Sequence, residues 1–419
     1  MKMKQGRVTF SVVGLGGRAS AYLSALQELY PNEHQVVAVA DPDPVKQARA
    51  RNDYGLQDNQ IFDTDLDLME QPRLSDVAIV ATQDKLHLRD VRGLLAKGYD
   101  LILEKPVATT LEELQEIAEI SKAFPDQMVA VCHVLRHTVF FGEIRKILES
   151  GRFGPVVSIQ HNENIGYYHF AHSYVRGPWN NSETSGPLTL TKSCHDMDIL
   201  LYLLGDAHCQ SISSHGALSI FNRDHYDPDT MAPMCVDCPQ NEGCAYSAPR
   251  LYSSGKIKSV VFELSSVDKV RENLGTSPYG RCVYHCDNNV VDHQATAVQF
   301  DNGVTATFNL SAFSAKVNRS LKIMCQFGEI RAIEKPYLIE TTDFRTDETT
   351  VTELDIRDRG HGGGDKAFVK DFMESYLHGV SFNSTLEHAI ESHAMALLAE
   401  ASRKDNGNAK SVSQWMQRL

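Results

Sequence analysis

Positive charge is in short supply in this chain: 41 Lys and Arg stand against 54 Asp and Glu, a formal net charge of −13. That balance argues against nucleic acid or an anionic membrane as the main partner. No apolar run is long enough to span a bilayer, and there is no internal repeat or low-complexity tract. The opening residues Met1 to Gly6 run straight towards a predicted strand, with no separate apolar segment or cleavage site. No secretion signal is therefore expected, and the chain reads as cytoplasmic. Nine cysteines in 419 residues then point to free thiols or a metal site rather than disulfides.

What is present is the composition of a soluble globular protein, long enough for two or three domains. The first 130 residues or so alternate strand and helix. Strands are predicted at Val8 to Val13, Gln35 to Ala40, Val77 to Ala81, Asp100 to Leu103 and Met128 to Cys132. Helices are predicted from Pro42 to Tyr54 and from His87 to Lys97, the latter closed by Gly98. Another opens at the capping box Thr110-Leu111-Glu112-Glu113. This pattern predicts an α/β Rossmann domain, a doubly wound parallel sheet over residues 1–135. From 136 to 380 the character changes. Val156 to His161, Gln294 to Phe300, Val304 to Leu310, Leu321 to Gln326 and Glu329 to Ile333 alternate with turns. They predict an α+β domain with an open, mainly antiparallel sheet, carrying a cysteine-bearing insertion at 221–250. Residues 381–419, entered through Ser384-Thr385-Leu386-Glu387, predict a helix packing back on the first domain.

The first strand ends in Gly14-Leu15-Gly16-Gly17-Arg18-Ala19, the G-x-G-x-x-G/A pattern where a strand turns into a helix. Gly14 permits the tight turn, Gly16 lets backbone approach a pyrophosphate, and Ala19 lets helix pack on strand. Asp41 follows the second strand, about 20 residues past the turn, where a carboxylate would hold ribose hydroxyls. It would repel a ribose phosphate, which favours NAD over NADP, although Arg18 could meet a phosphate.

Two further segments carry chemistry. Glu104-Lys105-Pro106 follows a central strand, so Lys105 faces the nicotinamide region and can steady a developing alkoxide; the plainer alternative is a surface lysine. Thr191-Lys192-Ser193-Cys194-His195-Asp196 leads into a helix. There His195 can act as general base or as a structural hydrogen-bonder, and Asp198 can orient it or contact the substrate. Together Lys105, Lys192 and His195 would make a positive pocket suited to an acidic sugar. His161, Asn162, Tyr167, Tyr168, His169 and Trp179 can stack on a sugar or simply pack a loop. His361-Gly362-Gly363-Gly364-Asp365 can let backbone approach a ligand or be a loop with Asp365 as helix N-cap. Cys235-Val236-Asp237-Cys238 and Cys244 can converge on one zinc, with Cys282 or Cys286 as fourth ligand, or remain unligated thiols.

The glycine turn, Asp41, Glu104-Lys105-Pro106 and Cys194-His195-Asp196-Met197-Asp198 resemble the Gfo/Idh/MocA oxidoreductases. Thr82-Gln83-Asp84-Lys85-Leu86-His87 resembles that family's T-P-x-x-x-H loop, with glutamine for proline. The resemblance implies NAD(P)-dependent redox chemistry on the CH–OH group of sugars, sugar acids or polyols. It also implies a cofactor cleft lined by Thr82, His87 and Glu104, substrate contacts from Lys105, Tyr168, His169, Lys192 and His195, and a homodimer or homotetramer through the open sheet. Tyr279-Gly280-Arg281-Cys282 resembles a subgroup with the three-cysteine loop, which selects Cys282 as the fourth ligand of a structural zinc. One departure is plain: family members often carry aspartate four residues before the histidine, and here that residue is Thr191. A redox-neutral, NAD-dependent glycosidase and a non-catalytic NAD- or sugar-binding protein are the alternative functions.

Overall fold

The computed structural model describes residues 6–257, 266–357 and 361–419. Its first sheet contains β1 (Val8–Val13), β2 (His34–Ala40), β3 (Ile61–Phe62), β4 (Val77–Val80), β5 (Asp100–Leu103) and β6 (Val129–Val131). Their order is β3-β2-β1-β4-β5-β6, and every pairing is parallel. All four residues of β4 are fully buried, as a strand covered on both faces must be. The chain reverses direction between β1 and β4, so the crevice beyond their carboxyl ends is the switch point of the sheet. Gly14, Asp41, Thr82 and Glu104 all follow strand ends on that rim.

The second sheet is built from β7 (Val156–Asn164), β8 (Cys209–Ala217), β9 (His293–Phe300), β10 (Thr305–Ser311), β11 (Asn318–Cys325), β12 (Gly328–Ile333), β13 (Leu338–Asp343), β14 (Glu348–Glu353) and β15 (Lys410–Ser411). They run in the order β14-β13-β12-β11-β7-β10-β9-β8-β15. Only β7 and β10 pair in parallel, so the sheet is mainly antiparallel as expected. Along β9 exposed and buried residues alternate strictly: one face lies on the core and the other stays open.

Four helices position the site. Helix α1 (Gly17–Leu29) follows the glycine turn, and α2 (Cys194–Leu204) is buried at ten of its eleven positions, being packed on all sides. Helix α3 (Gly364–His378) lies on α1 and on the turn after β6. Its Phe368, Val369, Phe372 and Met373 join the core of β1 and α1. Helix α4 (Leu386–Lys404) packs on α2 and β8 and also reaches the first domain.

The two capping boxes differ in outcome. Thr110 caps its helix through the Glu113 N–H (3.1 Å), while the Glu113 carboxylate reaches back to the Thr109 N–H (2.9 Å). Ser384 does not cap α4. Its hydroxyl donates to the Val131 carbonyl (2.7 Å), and its own carbonyl accepts the Val131 N–H (2.7 Å). That pairing ties the start of α4 to the edge of β6.

Candidate active site

The glycine turn has the stereochemistry its sequence implies. Gly14 has φ +87°, and a β-carbon there would stand 2.5 Å from the Ala81 carbonyl oxygen. A β-carbon on Gly16 or Gly17 would meet nothing within 4 Å, so the backbone is open on the side a pyrophosphate would use. No side chain caps α1 and no acid sits in its first turn, which leaves its N–H groups and positive end for an anion. Ala19 is fully buried against the strand. Asp41 accepts the Leu15 N–H (2.7 Å) and pairs with Lys46 (3.1 Å), so the carboxylate expected at a ribose also braces the turn. These features fit a dinucleotide.

Arg18 is not free to meet a ribose phosphate. Its guanidinium bonds Glu104 (2.7 Å) and Asp365 (2.7 Å), two carboxylates that neutralise it. Asp365 is not an N-cap; α3 starts one residue earlier with Gly363 in that place. Burial would raise the Glu104 pKa, but Arg18, a hydrogen bond from Tyr22 and Lys105 outweigh it, so Glu104 stays an anion.

The segment Glu104 to Val107 is held from several sides. The Lys105–Pro106 bond is cis. His87, fully buried, donates from Nδ1 to the Pro106 carbonyl (2.7 Å). The Val107 N–H donates to His393 Nε2 (2.9 Å). Lys105 Nζ donates to the Thr191 carbonyl (2.8 Å), so a backbone oxygen takes over a contact that the threonine side chain could not make as an anion. Thr82 donates to Asp90 (2.6 Å). The Asp90 pKa is raised to about 7 by burial first and by Asp65.

His195 lies in the first turn of α2, 5% exposed. Its Nδ1 is buried without a partner, and its ring meets His133 edge-on at 5.5 Å and His361 at 6.2 Å. Burial first, then the charges of Lys105, His133, His361 and Arg319, hold its pKa well below the ordinary histidine range. The ring is therefore neutral and able to accept a proton. The His169 pKa is likewise pushed down, to about 3, by burial and then by Lys192. Tyr168 is half-buried beside it, with Lys256 5.8 Å from its ring centre.

Three expectations are corrected. Lys192 does not add free positive charge: it pairs with buried Glu163 (3.1 Å), which also holds Arg319 (2.9 Å). Arg319 in turn bonds Asp196 (2.7 Å), and His161 donates to the same carboxylate (2.7 Å). This charge-balanced network fastens α2 to β7 and β11, so the pocket is not a strongly positive one. Asp198 is committed to Arg136 through two bonds (2.6 and 2.8 Å) and not to His195. Asn162 faces the open side of the sheet, bonded to Ser320 (3.1 Å), away from its neighbour His161.

The cysteine loop brings a further correction. Cys235, Cys238, Cys244 and Cys282 line a cavity of about 490 Å³, and all nine cysteines are free. Among the described residues, no three His, Cys, Asp or Glu side chains converge to hold a metal ion, so the structure lends zinc no support. Buried Arg176 does the stapling instead. It donates to the carbonyls of Arg281 and Tyr246 (both 2.7 Å) and to Cys235 Sγ (3.5 Å).

Asp84 is a residue that the sequence reading passed over. It opens a short turn beyond β4, its Oδ2 is buried without a partner, and burial raises its pKa against the opposing charges of His87 and Lys105. A carboxylate inside the T-x-x-x-x-H loop was the available signal.

Comparison with known proteins agrees with this geometry. The putative oxidoreductase YteT of Bacillus subtilis is 26% identical over 86% of this chain and 87% of its own. The scyllo-inositol 2-dehydrogenase (NAD(+)) of the same organism is 24% identical over 51% of this chain and 58% of its own. A solved structure of levoglucosan dehydrogenase with NADH and levoglucosan has the same fold, with a TM-score of 0.71 over 97% of this chain and all of that one, at 15% identity. Residues 8–131 match the oxidoreductase family's NAD-binding Rossmann fold, and residues 145–248 match its C-terminal alpha/beta domain. With more than half of its length covered by the two, the chain is a member of the Gfo/Idh/MocA oxidoreductase family.

Proposed function

We propose that this protein is an NAD-dependent oxidoreductase acting on a CH–OH group of a neutral sugar or polyol. The observation that carries the reading is Lys105, braced at the carboxyl end of β5 with its ammonium at the Thr191 carbonyl and its charge acting on His195. An ammonium has three donors, so one spent on Thr191 leaves others for a substrate oxygen. When bound, NAD supplies the hydride acceptor at its nicotinamide. Lys105 holds the reacting oxygen and stabilises its developing negative charge. Neutral His195 takes the hydroxyl proton and returns it in the reverse direction. The pairing of Lys192 with Glu163 supports a neutral substrate over an acidic one. Relatives named as an inositol dehydrogenase and a D-xylose dehydrogenase support the substrate class.

The open face of the second sheet, with Gln160, Asn162, Lys322 and Arg331 around Leu338 and Val351, supports self-association there, which light scattering of the purified protein would test. Nine free thiols suit a reducing compartment such as the cytoplasm.

The test is purified protein with NAD and a panel of sugars, sugar acids, polyols and aryl glycosides, following NADH and aglycone together. NADH formation from a free sugar or polyol is expected. Lys105→Ala and His195→Ala should each lower turnover by about 100-fold or more while NAD affinity holds. Aglycone release that requires NAD but leaves no NADH would replace this reading with the redox-neutral glycosidase.

A further inference from the structure

Thr191 offers Lys105 a backbone carbonyl and no carboxylate, whereas the turn after β4 carries one, Asp84. Asp84 stands at the carboxyl end of β4, one side of the switch point, while Thr191 belongs to the second domain. Lys105 follows β5, the strand paired with β4, and its ammonium bonds the Thr191 carbonyl (2.8 Å); the Asp84 turn runs into His87, which donates from Nδ1 to the carbonyl of the next residue after Lys105, Pro106 (2.7 Å). One contact joins the Asp84 turn to the segment that leads into Thr191: Lys85 Nζ donates to the Glu183 carbonyl.

The other acids around Lys105 and Lys192 are already used. Glu104 is taken by Arg18, Glu163 by Lys192 and Arg319, and Asp196 by Arg319 and His161. Asp84 keeps one oxygen, Oδ2, buried and without a partner. A buried acceptor of that kind is costly to leave unmade and is met by a donor in the functional state. The donors of a polyol are hydroxyl groups, whereas the carboxylate of a sugar acid would bring a second negative charge against Asp84.

We propose that Asp84 is a substrate-binding residue: its free oxygen accepts a hydroxyl adjacent to the one held by Lys105, so that the pair grips a neutral vicinal diol. This rests on the oxidoreductase reading for the role of Lys105. It assigns the specificity for neutral polyols to the turn after β4, on the nucleotide-binding domain, rather than to the helix that carries His195.

The test compares the full-length wild type with Asp84→Asn, which keeps shape and removes charge. With NADH present, affinity for myo-inositol, D-glucose and D-glucuronate is measured by calorimetry; NADH formation with NAD is followed in parallel. The wild type should bind a neutral diol in preference to glucuronate. Asp84→Asn should weaken that binding, and raise KM, by about tenfold or more, with kcat within about threefold and NAD affinity within about twofold. It should also narrow the preference against glucuronate. Unchanged affinity and KM in Asp84→Asn, with an active wild type, overturns the role of Asp84 and leaves the dehydrogenase standing. Binding that depends on Asp84, without NADH formation by the wild type, supports the diol site and sinks the dehydrogenase. A wild type that binds neither neutral probe overturns the proposal.

Discussion

A single imidazole illustrates how far burial reaches in this cleft. His195 sits among Lys105, His133, His361 and Arg319, all of which disfavour its charged form after burial has already done so. Its folded pKa lies below the ordinary value of about 6.5, so the proton-accepting form persists as pH falls through that value. The oxidative kcat/KM should therefore show no loss centred near pH 6.5, and its acidic limb should lie lower. A pH–rate profile in the oxidative direction checks this; a break near 6.5 would point to a solvent-exposed histidine instead. Asp41 invites a second substitution. It holds the Leu15 N–H and the ammonium of Lys46. Asp41→Ala removes the carboxylate that repels a ribose phosphate and releases a lysine that attracts one. NAD affinity should fall by about tenfold, and the NADP-to-NAD ratio of kcat/KM should rise by a similar factor. Parallel initial-rate measurements with the two cofactors read both effects.

At the scale of elements, α2 is the piece on which both domains depend. It presents His195 at its start, yet most of its charged side chains are structural: Asp196 is fastened to Arg319 and His161, and Asp198 to Arg136. Asp198→Ala strands the Arg136 guanidinium, 8% exposed, without its counter-charge, and such a break costs about 3–5 kcal/mol. Urea unfolding should show that loss. The double variant Arg136→Met, Asp198→Leu should recover most of it, because replacing a buried pair by apolar groups is often close to neutral. The two acids of Cys194-His195-Asp196-Met197-Asp198 looked alike in sequence. Their partners lie 123 and 62 residues away, so no local pattern could separate a catalytic carboxylate from a structural one. The strands tell a similar story. β1, β4 and β9 were legible because burial on both faces or alternate burial writes itself into residue order. β14 is exposed at every position and exists only because β13 offers it an edge, so it left no apolar signal to read.

For the whole molecule, the decisive feature is that the chain returns to its beginning. Helix α3 comes after β14 of the second sheet but inserts Phe368 beside Tyr22, with ring centres 5.8 Å apart, and Asp365 beside Arg18. The nucleotide-binding domain is thus completed by a residue 347 positions downstream. Phe368→Ala opens a cavity in the β1–α1 core and should cost about 3–5 kcal/mol. The denaturant midpoint should drop, and saturating NAD should restore part of it, since a ligand of the native state stabilises by mass action.

The glycine turn, Asp41, Glu104-Lys105-Pro106 and the alternating strands were determined by the sequence alone. Each rests on interactions within one turn or one strand, where neighbours in the chain are neighbours in space. The tertiary structure decided everything that depends on which charge meets which. It spent Arg18 on Glu104 and Asp365, paired Lys192 with Glu163, and gave the stapling of the cysteine loop to Arg176. It also left Asp84 Oδ2 buried and unclaimed in the turn after β4. A charged side chain in a sequence advertises a capacity; only the folded chain shows whether that capacity is already satisfied, because the partner that satisfies it can come from anywhere along 419 residues.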